Sequence, residues 1–242
     1  MAINSRRNLL PEAGSKRPKR PKKNKYIIIS AEGTKTEEEY FSLLTNLLNT
    51  ERVKFISARD FGGKDKEELS QEKIDEYERP DPKSVLQRFI DFKRNNQDKL
   101  MLRDGDEYWL VLDVDHHTKG NHMKNFIEVI KIDAPVNKFN SAVSNPRFEL
   151  WRYLHHHELT QDDHDNCSRK DYFEKRINDI TSEEGLREGK KNIHVNNYTI
   201  EKIKAAVQRA KDLHKDKDEL YPMGLGTHVY LLVQNALEIL DE

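Results

Sequence analysis

Two apolar runs, Tyr26-Ile27-Ile28-Ile29-Ser30 and Tyr108-Trp109-Leu110-Val111-Leu112, constrain the fold of this chain more than any other feature. Both are short, continuous and bulky, as strands covered on both faces are. Val53-Lys54-Phe55-Ile56-Ser57 reads as another strand, and Phe139-Asn140-Ser141-Ala142-Val143-Ser144 as a weaker fourth. Helical patterns separate them. The first opens at Thr34-Lys35-Thr36-Glu37-Glu38-Glu39, where either Thr stands three residues before a Glu in capping-box spacing. Its Tyr40, Phe41, Leu44, Leu47 and Leu48 share a face, and it ends near Asn49. A second runs from about Asp81 to Asn96 with Val85, Leu86, Phe89, Ile90 and Phe92 as its apolar set. A third spans 122–132 through Met123, Phe126, Ile127 and Ile130. A fourth starts at Asn145-Pro146, where Asn suits the N-cap and Pro the first helical position. The order β-α-β-α-β-α-β-α predicts an α/β fold, a parallel sheet of about four strands flanked by helices.

Beyond residue 158 the pattern changes. An acidic, histidine-containing loop at 161–165 precedes helical segments at 168–180, 198–213 and 227–240, with no further strand. The expected organisation is a basic tail over 1–25, a core over 26–158 and a helical extension over 159–242 packed on that core. The 59–80 stretch is a long connection, which implies a functional excursion or disorder.

The formal net charge of −1 hides an asymmetry, because residues 1–25 carry nine Lys or Arg against Glu12 alone. Such a tail suits salt-sensitive, sequence-blind contact with nucleic-acid phosphates, or serves as a solubilising leader. No run approaches a membrane span. The N-terminus lacks the apolar core of a signal peptide and Cys167 stands alone, so a cytoplasmic location is expected.

The acids carry the chemistry. Glu32, in Ala31-Glu32-Gly33, follows the first strand; Asp113 and Asp115 follow the third; Glu149 falls in the first turn of the helix after the fourth. In an open α/β sheet the loops beyond the carboxyl ends of the strands form the functional edge, so these residues should face one crevice. Period-two alternation sends Asp113 and Asp115 to the same side, and Gly33 leaves room beside Glu32. Gathered carboxylates repel one another unless a hard cation such as Mg²⁺ or Mn²⁺ joins them. Glu37 is near enough to serve as another ligand, while Glu149 is equally readable as a favourable charge at a helix N-terminus. Lys35 and Arg147 are candidates for phosphate contact.

Among the histidines, His116, His117 and His155 are candidates for a single catalytic or phosphate-contacting group. His155-His156-His157 cannot share one zinc ion, since successive helical residues point about 100° apart, and one cysteine offers no thiolate set. The chain has neither a nucleophile elbow nor a Gly-x-x-x-x-Gly-Lys-Ser/Thr phosphate loop. Phe148 and Trp151 read as core anchors rather than base-stacking platforms.

The set Ala31-Glu32-Gly33-Thr34-Lys35-Thr36-Glu37 with Tyr40-Phe41, Asp113-Val114-Asp115, Ser144-Asn145-Pro146-Arg147-Phe148-Glu149-Leu150-Trp151 with Leu154-His155, and Gly226-Thr227-His228-Val229 resembles the RloB family of bacterial defence proteins. More broadly, it resembles the Toprim fold of topoisomerases, primases and OLD-type nucleases. The resemblance spans residue 26 to about 240. It implies a Toprim-like sheet and a nuclease site in which Glu32, Asp113, Asp115 and Glu149 handle Mg²⁺ or Mn²⁺, with Glu37 joining Glu32, and in which Lys35, Arg147 or His116 contacts substrate phosphate. It also implies cleavage of RNA, tRNA included, or of DNA, and an ABC- or AAA-class ATPase partner in anti-phage defence; a homo-oligomer is compatible with it. The alternative of a different class is a non-catalytic nucleic-acid- or nucleotide-sensing regulator of such an ATPase. The 59–80 insertion and the polar Arg152 and Tyr153 depart from the family pattern.

Overall fold

The computed structural model describes residues 24–59, 79–114, 121–131, 139–169, 171–183, 188, 193–216 and 218–241. Asp115, His116, His117, residues 1–23 of the basic tail and residues 60–78 of the long connection lie outside this set.

Strands β1 (Lys25–Ala31), β2 (Val53–Ser57), β3 (Glu107–Asp113) and β4 (Asn140–Asn145) alternate with helices α1 (Thr36–Leu48), α2 (Pro82–Asn96) and α3 (Asn121–Ile130). Helix α4 (Phe148–Leu154) follows β4. The sheet order is β2-β1-β3-β4-β5, with β5 (Gly226–Thr227) antiparallel to β4 and the other four strands parallel. The expected count of about four thus becomes five. Two residues have no periodicity to reveal a strand; pairing of Ser144 with Thr227 and the 2.9 Å contact between their hydroxyls hold β5 at the edge.

Both faces of the sheet are covered, as the unbroken apolar runs require. Ile27, Ile29, Trp109, Val111 and Ala142 point into one core with Tyr40, Leu44, Phe148 and Trp151. Ile28, Tyr108, Leu110, Leu112 and Val143 point into the other with Val85, Phe89 and Phe126. The remaining helices are α5 (Gln161–Asn166), α6 (Tyr172–Glu183), α7 (Ile200–Leu213) and α8 (Val229–Asp241). Phe173, Ile203 and Val233, from α6, α7 and α8, join the first core. Buried Arg152 and Glu188 make an ion pair there, and Glu188 also accepts from the Tyr198 hydroxyl, the Asn197 amide and the His194 backbone N–H.

Three local expectations are revised. Helix α1 is N-capped by Lys35 without a side-chain bond, so neither Thr forms a capping box; backbone N–H groups of Gly33 and Glu37 are served instead by the Glu37 carboxylate. Asn145 is the last residue of β4, and the cis Asn145-Pro146 bond and Arg147 intervene before α4, so Arg147 is the N-cap. The acidic stretch at 161–165 is helix α5, opened by a capping box between Thr160 and Asp163. Asp163 is fully buried and accepts from Thr160, Tyr153 and Tyr172. No helix among the described residues is long and apolar enough to cross a membrane.

Candidate active site

The strand order reverses between β1 and β3. From β1 the chain moves outward to β2, then returns to place β3 on the other flank of β1. Crossovers on opposite faces leave a crevice beyond the carboxyl ends of the two strands at such a switch point. Glu32 is the residue after β1, and Asp113 is the last of β3. They meet directly. The Asp113 backbone N–H donates to Glu32 Oε2 at 3.2 Å, and the Glu32 N–H donates to the Val111 carbonyl at 2.9 Å.

Glu37 completes the group from the first turn of α1. Its carboxylate folds back over Gly33 so closely that a Cβ on residue 33 would stand 2.1 Å from Oε2. This is why a glycine follows Glu32: the space beside its Cα belongs to the carboxylate. Burial, then repulsion from Glu149 and from Glu32, pushes Glu37 up from 4.5 to about 7. Two backbone N–H groups pull the other way and lose. Glu32, Glu37 and Asp113 are all buried, whereas Glu149 in the first turn of α4 is half-buried. Carboxylates are the oxygen donors that hard cations such as Mg²⁺ and Mn²⁺ take, but the ligand atoms of Glu32, Glu37 and Asp113 do not all lie within 4.8 Å of one another.

Two arginines that sequence reasoning did not single out brace this edge. Arg59, just past β2, donates to the carbonyls of Ala31 at 3.2 Å and Glu32 at 3.0 Å, and pairs with Glu38 at 3.3 Å. Arg88, almost wholly buried in α2, donates to Ala31 O at 2.6 Å and Arg79 O at 3.1 Å. Desolvation, aided by Arg59, lowers the Arg88 guanidinium to about 10, where it keeps its charge. Both fix the turn that presents Glu32. A signal for Arg88 was present, since it sits one turn after Val85 and one before Phe92 on the apolar face of its helix.

A groove of about 480 Å³ opens beside the acids. Glu149, Arg147 and Val114 line one side, Arg169, Asp171 and Tyr172 another, and Met223 to Leu225 a third. Arg147 lies 3.5 Å from Asp171. Lys35 is half exposed at the start of α1, 3.8 Å from Glu39. His155 is not in this groove. It is buried between Tyr40, whose hydroxyl lies 3.1 Å from its Nε2, and the Trp151 carbonyl, 2.9 Å from its Nδ1. Desolvation pushes it down to about 3, so it is a neutral core residue. Phe148 and Trp151 are likewise fully buried in the core.

The structure therefore sets Glu32 against the backbone of Asp113 at the switch point, with Glu32 and Glu149 close enough to act on Glu37 and with Arg147 lining the same groove as Glu149. Asp115 and His116 fall outside the described residues. No curated protein and no solved structure matches this chain. A family model described as RloB-like protein matches residues 27–236, from within β1 to within α8, a span that contains Glu32, Glu37, Asp113, Asp115 and Glu149. The chain belongs to the RloB-like family.

Proposed function

We propose that this chain is a divalent-metal-dependent nuclease of Toprim type that cleaves phosphodiester bonds in RNA, tRNA included, or in DNA, acting in anti-phage defence beside an ATPase partner. The observation that carries the reading is the meeting of Glu32 and Asp113 at the sheet's switch point, with Glu37 forced up to about 7 beside them. Glu32 and Asp113 are both buried, and Glu37 beside Glu32 is repelled by Glu149 and by Glu32.

Glu32 and Asp113, with Asp115 two residues on, would hold Mg²⁺ or Mn²⁺, and Glu37 and Glu149 would complete the set. Such an ion supplies Lewis-acid stabilisation of charge on the phosphoryl oxygens and a more acidic bound water. The protein's own groups do the rest. Arg59 and Arg88 hold the Ala31-Glu32 backbone so that Glu32 faces Asp113. Arg147 and Arg169 line the adjoining groove, where guanidinium groups can grip phosphate oxygens. Glu37 keeps a proton up to about pH 7 at its Oε atoms and yields it as positive charge enters the cluster.

The test is incubation of the protein with tRNA, other RNA and plasmid DNA, with Mn²⁺ or EDTA, alone and with its ATPase. Metal-dependent products are expected from the wild type, and none from Asp113→Ala, whose thermal melting confirms that it folds. Equal cleavage by Asp113→Ala overturns the site assignment. No products in any combination returns the chain to a sensing or regulatory role.

A further inference from the structure

A second cluster lies on the far side of the Gly224-Leu225 wall. His214 follows the end of α7, Glu219 lies in the loop beyond it, and His228 sits between β5 and α8. One ligating atom from each lies within 4.8 Å of the other two. His228 Nε2 is 3.8 Å and His214 Nε2 is 4.0 Å from Glu219 Oε1. The imidazoles face each other with centroids 4.3 Å apart. Neither Nε2 has a hydrogen-bond partner among the described residues, although His228 is only 3% exposed.

A buried imidazole nitrogen without a partner is unfavourable, and here two face one carboxylate oxygen. The surrounding bonds hold them in that aim. His214 Nδ1 lies 2.7 Å from the Tyr230 hydroxyl; with the proton on Nδ1 donated there, the Nε2 lone pair faces inward. The Met223 N–H lies 3.4 Å from Glu219 Oε2, which leaves Oε1 toward the histidines. Hydrogen bonds of this kind to the outer atoms of metal-binding side chains fix their tautomer and orientation.

We infer that His214, Glu219 and His228 form a zinc site, with a fourth position open to water or a ligand. Two imidazoles and one carboxylate select a borderline ion over Mg²⁺. Bonds of about 2.0–2.1 Å set tetrahedral ligand spacings of about 3.4 Å, so closing on the ion requires the three side chains to draw together by a fraction of an ångström to about 1.4 Å. A cavity of about 310 Å³ lined by Lys215, Pro222 and Thr227 gives access. Zinc there would tie the end of α7 to β5 and fix the loop carrying Met223, Gly224 and Leu225, which walls the acid groove. The site is separate from the carboxylate set and does not depend on nuclease activity.

The experiment uses metal-free full-length protein titrated with Co²⁺, read by visible absorption, then with Zn²⁺ in competition. One equivalent of tetrahedral Co²⁺ per chain is expected, displaced by Zn²⁺. His228→Gln and His214→Gln should each weaken Zn²⁺ binding by about 100-fold or more, and Tyr230→Phe, which removes the hydroxyl that holds the His214 ring, by about 10-fold. Circular dichroism melts establish that these variants fold. Asp113→Ala should bind Zn²⁺ as the wild type does. Absence of the Co²⁺ bands, their persistence in folded His228→Gln and His214→Gln, or their loss in Asp113→Ala overturns the inference.

Discussion

Replacing Glu37 by Gln removes the cost of ionising this buried carboxyl. Glu37 is raised from 4.5 to about 7, chiefly by burial and next by Glu149. A carboxyl whose folded value exceeds its unfolded one binds more protons in the native state between the two values, so stability falls as pH rises through that window. Below about pH 4.5 both states are protonated and the penalty is absent; above about pH 7 it is complete. A shift of about 2.5 units at 1.36 kcal/mol per unit amounts to roughly 3 kcal/mol. Gln keeps the shape and an acceptor oxygen for the Gly33 and Glu37 N–H groups, but it never ionises. Urea unfolding of metal-free wild type and Glu37→Gln, in EDTA at intervals from pH 4.5 to 8, gives the difference curve directly. Titrations of groups that do not interact with Glu37 cancel, and the altered titrations of its neighbours Glu149 and Glu32 belong to the same coupled set. The variant should match the wild type at pH 4.5 and exceed it by about 3 kcal/mol at pH 8. A stability difference that is constant across this range would refute the claim that burial and the neighbouring carboxylates raise the proton affinity of Glu37.

Gly33→Ala places a methyl 2.1 Å from Glu37 Oε2 and so displaces that carboxylate. The pH dependence of stability should flatten toward that of Glu37→Gln, and the Mn²⁺ concentration for half-maximal cleavage should rise; unchanged values for both would show that Glu37 does not need its place over Gly33. Glu188→Ala strands buried Arg152 and the donors of Tyr198, Asn197 and His194. It should cost about 3–5 kcal/mol in urea unfolding, and a loss under 1 kcal/mol would mean that the pair contributes little to holding α4 against the C-terminal helices.

What the sequence disclosed follows from how each feature is encoded. β1 and β3 were legible because a strand covered on both faces must be apolar at every position, and Glu32 and Asp113 because they stand where those runs stop. The order β2-β1-β3-β4 was not, since neighbours in a sheet are chosen by packing and crossover, and a run of isoleucines does not name its partner. Helix α5 was missed because its only buried residue is Asp163, which leaves no apolar stripe; its signal was the capping pair Thr160 and Asp163, with Asp in place of the usual Glu. Arg59 and Arg88 act on backbone carbonyls, a role no motif advertises. His214, Glu219 and His228 are joined only by the closing of the loop between α7 and β5.

The C-terminal half matters to the acid site even though every carboxylate in it precedes residue 150. Phe173, Ile203 and Val233 share one core with Ile29, Tyr40 and Phe148, so the face of the sheet that seats α1 and Glu37 is covered from both halves. The same half supplies Arg169, Asp171 and Tyr172 on one wall of the groove and Met223 to Leu225 on another. Those last residues lie between the groove and the histidine cluster, and Met223 contributes its N–H to Glu219. An ion held by Glu219 at the proposed second site would therefore bear on the wall of the groove through one short loop, whose Gly224 and Leu225 line both cavities.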